Sequence, residues 1–204
     1  VWVTGVTEAA WDGRLIQLNA ETGDILQTVN LSGDPRDIAV TANAVWVLNM
    51  TKPGESASST GLELLRVDPA AGLVTASVQD VFGFGVSTRG LWILQDLGQG
   101  RTGLVELDPS VAEPVGSPAA MDSLAFAGDH GALGTLVVGP SGVWSWRTDT
   151  DDTVLLVRAG ASDASLSLGT VRSSQTWPLD AVLDEAGTLW VASLQGVTRV
   201  DGAG

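Results

Sequence analysis

The only histidine of the chain, His130, stands in Ala127-Gly128-Asp129-His130-Gly131, next to a carboxylate. An imidazole titrates near neutral pH, and an adjacent aspartate could make it half of an acid/base pair. A loop histidine with no part in chemistry accounts for the same residues and is the plainer reading. The run Arg147-Thr148-Asp149-Thr150-Asp151-Asp152 gathers three carboxylates in six residues. Hard cations need several oxygen ligands, so Asp149, Asp151 and Asp152 are the candidates for calcium. The run lacks the central glycine and distal glutamate of the twelve-residue calcium loop, so a solvated hairpin loop is the simpler expectation. No cofactor is expected.

Trp11 and Trp177 lie outside the strand-like segments. Indole rings in such loops can stack on a sugar or anchor a protein partner, and they can equally fill gaps between packed sheets. With Arg147 and His130 they form the set of candidate ligand contacts. No residue is assigned a catalytic role. The nucleophile-elbow pattern Gly-x-Ser-x-Gly does not occur, and the serines of Ser56-Ala57-Ser58-Ser59 follow Pro53-Gly54-Glu55 as a loop would. Phe82-Gly83-Phe84-Gly85 leads into a strand, so no helix N-terminus awaits a phosphate.

Composition narrows the partners further. The 204 residues carry 10 Lys and Arg against 24 Asp and Glu, a net charge of −14. That balance repels nucleic-acid and anionic-lipid phosphates, so neither is expected as a partner. A protein, a small molecule or a glycan remains. The absence of cysteine excludes disulfides, thiolate metal sites and cysteine nucleophiles. Gly131 to Trp146 has no charged residue, but it is only 16 residues long and is broken by Gly134, Gly139, Pro140 and Gly142, so no membrane insertion is expected. The sequons at Asn30 and Asn49 match the glycosylation pattern and are read as accidental. Arginine outnumbers lysine nine to one (only Lys52), as in a GC-rich bacterial genome.

What must position these residues is a repeat. Val1-Trp2-Val3, Val45-Trp46-Val47, Leu91-Trp92-Ile93, Val143-Trp144-Ser145 and Leu189-Trp190-Val191 place tryptophans at steps of 44, 46, 52 and 46 residues. Apolar residues on both faces predict strands covered on both faces, as in a blade between two other blades. A second strand follows as Leu15 to Leu18, Leu64 to Val67, Leu104 to Leu107 and Val197 to Val200, with a polar third position at Gln17, Arg66, Glu106 and Arg199. Asn19, Asp68, Asp108 or Asp201 then opens a turn in which the side chain bonds its own backbone and, at Gly23 and Gly72, glycine takes the left-handed position. Third strands run from Ile25 to Asn30 and Leu73 to Val78. Others precede the tryptophans at Asp37 to Val40, Phe84 to Ser87, Leu133 to Val138 and Asp180 to Leu183.

Four short antiparallel strands per ~45 residues predict an all-β β-propeller. The units are 1–32, 33–80, 81–120, 121–174 and 175–204, with eighteen strands, so about four and a half to five blades. The chain starts at Val1 inside a strand-like run. It is therefore expected to be a segment of a longer protein, possessing part of a six- or seven-bladed ring; a closed five-bladed ring is the alternative. The loops Thr4 to Arg14, Asn49 to Gly61, Gln95 to Gly103, Gly116 to Gly131 and Arg147 to Thr153 are expected to be long and to share one face, the upper, where binding belongs.

Gly33-Asp34-Pro35-Arg36-Asp37-Ile38-Ala39-Val40 followed by Ala44-Val45-Trp46-Val47 resembles the repeat of bacterial YVTN-type and streptogramin-lyase-like propellers. Asp184 to Val191 and Gly196 to Asp201 resemble a blade of two-component-regulator sensor propellers. The resemblance implies an exported or receptor setting but transfers no function. Streptogramin lyases are expected to hold a metal with histidines and a glutamate on the propeller axis, which one histidine does not reproduce. The leading expectation is therefore a non-enzymatic binding or sensory propeller. The alternatives are a lyase- or quinoprotein-like enzyme with catalytic residues in further blades, and a pure scaffold.

Overall fold

The computed structural model describes residues 1–7, 11–52, 61–87, 90–99, 101–121, 136–139, 142–148, 153–158, 165–170, 178–184, 188–193 and 196–200. Among them are nineteen strands in five sheets and no helix. The first sheet is β1 (Trp2–Thr7), β2 (Asp12–Leu18) and β3 (Ile25–Ser32). The second is β4 (Asp34–Val40), β5 (Val45–Met50), β6 (Leu62–Asp68) and β7 (Leu73–Gln79). The third holds β8 (Val81–Ser87), β9 (Gly90–Asp96) and β10 (Thr102–Asp108), with β11 (Glu113–Pro114) and β12 (Ala119–Met121) both paired to β10. The fourth is β13 (Leu136–Gly139), β14 (Gly142–Thr148), β15 (Thr153–Arg158) and β16 (Ser165–Thr170). The fifth is β17 (Pro178–Leu183), β18 (Leu189–Ser193) and β19 (Gly196–Val200).

Within each sheet the strands follow chain order, the meander expected from the repeat. The nineteenth strand arises in the third sheet, where one outer strand is split into β11 and β12. Pro114 and Pro118 flank the break and Gly116 turns it at φ +81°. Proline has no N–H to donate, so an edge strand tolerates it only where pairing stops.

The chain divides into two compact units, residues 1–82 with 107–115, and residues 83–106 with 116–204. In the first, Leu15, Val29 and Leu31 of the first sheet meet Val45, Val47, Leu65 and Val67 of the second, with Trp2 and Ile38 against them. Each fully buried aliphatic side chain contributes about 1.5–3 kcal/mol, so this interface holds the unit together. Arg66 adds a polar tether, its Nε donating to Pro109 O at 3.1 Å and its Nη1 to Thr75 Oγ1 at 2.7 Å. In the second unit Leu91, Ile93 and Leu94 of β9 are buried, as are Leu136, Val137, Val143, Leu189 and Val191. A Cβ at Gly85 would stand 2.6 Å from Leu136 O, so glycine there lets β8 and β13 approach backbone to backbone.

Two expectations need correction. The tryptophan strands are not all covered on both faces: β5 is buried along Val45 to Asn49, whereas Val1 and Val3 beside Trp2 are exposed, and so is Trp190. The loop from Thr4 to Arg14 is mostly strand, since Thr4 pairs with Leu15, Gly5 with Arg14 and Thr7 with Asp12. Polar residues there mark the solvent side of paired strands, because successive side chains point to opposite faces. β10 likewise begins at Thr102, and Ala119 to Met121 pairs with β10, which shortens the expected loops at both places.

Candidate functional site

In the first unit the connections sort onto two ends. Trp11, Gly33, Thr51 and Gly61 lie at one end, as the pairings Thr7 to Asp12, Asp12 to Ser32, Asp34 to Met50 and Met50 to Leu62 require. Residues 19–24, 41–44 and 69–72 lie at the other. The first is the upper end, where single residues at positive φ, Gly33 and Asp80, join β3 to β4 and β7 to β8.

Trp11 enters β2 in the left-handed conformation, φ +50°, which a bulky residue rarely adopts. Its carbonyl accepts a hydrogen bond from Gly33 N at 2.6 Å, and its side chain is half-buried. Gly33 is the single residue between β3 and β4, at φ +118°. A Cβ there would collide with Met50 O and lie 2.7 Å from Asn49 Nδ2. A Cβ at Gly13 would lie 2.7 Å from both Gly33 O and Pro35 Cδ, so the first and second sheets meet here almost backbone on backbone.

Asn49 is 0% exposed. Its Nδ2 donates to Ser32 O at 2.7 Å and to Glu63 Oε1 at 3.1 Å, while Glu63 Oε2 accepts from Gln79 Nε2 at 2.8 Å. One amide thus joins the outer strand of the first sheet to two strands of the second. The sequon at Asn49 is consequently closed to glycosylation in the folded chain. Thr51 is tied to Gly61, its N and Oγ1 both donating to Gly61 O, at 2.8 and 3.0 Å. Above this layer Arg36 pairs with Asp34, Nη2 to Oδ2 2.7 Å, and its Nη2 also points at Met50 Sδ, 3.6 Å away. The Arg36 side chain remains 40% exposed. The upper end therefore offers a fixed guanidinium, a thioether and an indole on a rigid base.

The lower end repeats one device. Asn19 Oδ1 accepts from Glu21 N and Thr22 N, Asp68 Oδ1 from Ala70 N and Ala71 N, and Asp108 Oδ1 from Ser110 N and Oγ. Gly23 and Gly72 take the left-handed position as expected, and in the third turn Ala112 does so at φ +61°. The Ala71 and Ala70 amides hold the Asp68 carboxyl below its ordinary pKa, and the Ser110 hydroxyl and amide do the same for Asp108.

Of the residues singled out from sequence, Trp11 alone is placed with its side chain. Arg147 lies in β14, opposite Leu155, and so belongs to a strand where a loop was expected. His130, Trp177, Asp149, Asp151 and Asp152 lie outside the described residues. Among the described residues no group of three or more His, Cys, Asp or Glu could hold a metal ion, and no helix is long and apolar enough to cross a membrane. Arg36, Asp34, Met50, Asn49 and Glu63 were not anticipated. Gly33 to Arg36 read only as part of the repeat, and Asn49 as a sequon and the start of a loop, whereas it lies within β5.

No protein-family model and no curated protein matches the sequence. The fold does match solved structures. A Bacteroides caccae protein of unknown function aligns with TM-score 0.65 at 10% identity, covering 95% of this chain and 66% of that one. KlAtg21, solved in complex with a coiled coil of AgAtg16, aligns with TM-score 0.62 at 8% identity, over 99% of this chain and 63% of that one. The WD40 domain of Neurospora crassa Pan2 gives 0.55 at 8%, over 93% and 56%. The chain thus spans about 56–66% of the length of these structures. The likeness establishes the fold: an all-β β-propeller of antiparallel four-stranded blades.

Proposed function

We propose that this chain is a non-enzymatic, protein-binding propeller whose partner docks on the upper end of the first unit. The observation that carries the reading is Trp11, a tryptophan at φ +50° bonded through its carbonyl to Gly33, in a unit whose β4 presents the exposed Arg36. Backbone strain of this kind persists where the surroundings over-determine it, and tryptophan and arginine are the residues that dominate binding energy at interfaces. Asp34 fixes the Arg36 guanidinium on one side and leaves the other for a partner's carbonyl or carboxylate. Trp11 and Met50 supply apolar surface for a neighbouring side chain. The complex of KlAtg21 with a coiled coil supports the reading in kind, since the same architecture there carries a protein partner. No cofactor enters into it.

The test needs no known partner. Peptides selected from a random displayed library against the wild-type chain are expected to lose at least tenfold in affinity on a Trp11→Ala/Arg36→Ala variant of unchanged thermal stability. Selected peptides that bind both proteins equally would place the binding surface elsewhere. Within the propellers we read the repeat as the bacterial YVTN type, on Gly33 to Val40 and Val45 to Val47. A profile of the five units that retrieved other propeller repeats in preference would overturn that placing.

A further inference from the structure

The lower end of the first unit carries a surface that its caps do not explain. Leu26 near the start of β3, Leu73 and Val74 at the start of β7, and Val111 in the turn after β10 are between 43% and 62% exposed. The turns need none of them. An Asx turn is closed by the side chain of its first residue and by a residue at positive φ, and polar residues would serve in the exposed places that follow. Nor do Leu73 and Val74 stand at a margin. Their sheet, the second, meets the first through Leu65 and Val67 and is tied to the third through Arg66 and Pro109.

Hydrogen bonds place the four residues side by side. Gln27, next to Leu26, reaches the turn of the second sheet, its amide nitrogen donating to Pro69 O at 3.1 Å in the orientation that satisfies both of its neighbours. Arg66 holds Thr75 Oγ1, next to Val74, and Pro109 O, two residues before Val111. An apolar strip thus runs from the first sheet over the second to the third.

The strip lies among charges of one sign. Residues 19–24, 41–44, 68–72 and 108–113 include Glu21, Asp24, Asp68, Asp108 and Glu113 and no Lys, Arg or His. Closing the turns does not cancel that charge, because the Ala71 and Ala70 amides favour the ionised Asp68 and the Ser110 hydroxyl and amide favour the ionised Asp108. The Arg66 guanidinium is engaged with Pro109 O, Thr75 Oγ1 and Asn43 O. Contiguous apolar surface rimmed by polar groups marks interaction sites, and a rim of one sign selects a partner of the other.

We propose that the lower end is a second docking surface, whose occupant is a basic amphipathic segment of a partner protein. Its aliphatic side chains rest on Leu26, Leu73, Val74 and Val111, and its Lys or Arg side chains meet the carboxylates beside them. This surface is independent of the upper end, where a guanidinium is presented instead. With both occupied, the chain joins two partners of unlike chemistry.

The test selects peptides from a random displayed library against the Trp11→Ala/Arg36→Ala variant, which lacks the upper contacts. Enriched peptides are expected to combine Leu, Ile or Val with Lys or Arg. Adding Leu73→Ser/Val111→Ser to that variant is expected to weaken them about tenfold, and adding Glu21→Lys/Glu113→Lys instead to weaken them by about as much. Their affinity is also expected to fall as sodium chloride is raised, because exposed charges are screened. Should Leu73→Ser/Val111→Ser lose the β-sheet circular dichroism spectrum, the charge pair, whose side chains take no part in the caps, carries the test. Enriched peptides without basic residues, affinity unchanged by the charge pair, or no enrichment at all would each overturn the proposal.

Discussion

The two ends of the first unit are built by different rules. At the lower end an Asx side chain caps its own turn three times over, at Asn19, Asp68 and Asp108, and each cap acts within a few residues of sequence. At the upper end no turn is capped in this way among the described residues; there Gly33, Asn49 and Trp11 join the first sheet to the second. One end is closed turn by turn within single hairpins, and the other is held by contacts between sheets.

The sharpest way to break this contrast is Gly33→Ala. A methyl group would collide with Met50 O in a backbone conformation that alanine resists, so a loss of about 3 kcal/mol is expected in urea unfolding. A cost no larger than that of an ordinary turn substitution would remove the distinction between the ends. Asn49→Ala comes next. It strips the buried partner from Ser32 O and Glu63 Oε1, and about 2 kcal/mol is expected by the same measurement.

Trp11 gives a smaller and more diagnostic effect. Glycine accepts φ +50° without the Cβ penalty, so Trp11→Gly is expected to be about 1 kcal/mol more stable than Trp11→Ala. Equal stabilities would mean that a Cβ at this position carries no left-handed strain.

The smallest effect belongs to the lower end and is set by pH. The Asp68 carboxyl, held below its ordinary value of 3.8 by the Ala71 and Ala70 amides, stabilises the fold fully above that value. The contribution is lost as pH falls through the lowered pKa of the folded chain. Asp68→Asn keeps an acceptor but no charge, so its melting temperature is expected to fall below the wild type's at pH 7. The gap should close below about pH 4, near the ordinary aspartate pKa. A gap that persists unchanged to pH 2 would show that charge has no part in the cap.

These expectations also show which parts of the molecule could be read from residues alone. The strands and lower turns were legible because their causes are local: apolar runs around Trp46 and Trp92, and the spacing from Asp68 to Gly72. The upper end was not, because its causes cross between sheets. Asn49 meets Ser32 only after both sheets have formed, and a tryptophan at positive φ runs against every local preference. Thr4, Asp12 and Arg14 misled for another reason: polar residues on the wet side of paired strands look like a loop. Trp11 was singled out as a candidate contact, while Arg36 and Asp34 were absorbed into the repeat.

Gly33 has one more consequence, for the order in which the chain acquires its structure. A joint of a single residue makes the partner sheet of Leu15, Val29 and Leu31 the very next segment to be synthesised, so docking requires almost no loop closure. Contacts this near in sequence form early, and assembly by stacking of neighbours spreads outward from wherever it begins. The first two sheets should accordingly appear as one kinetic unit when refolding is followed by pulsed hydrogen exchange.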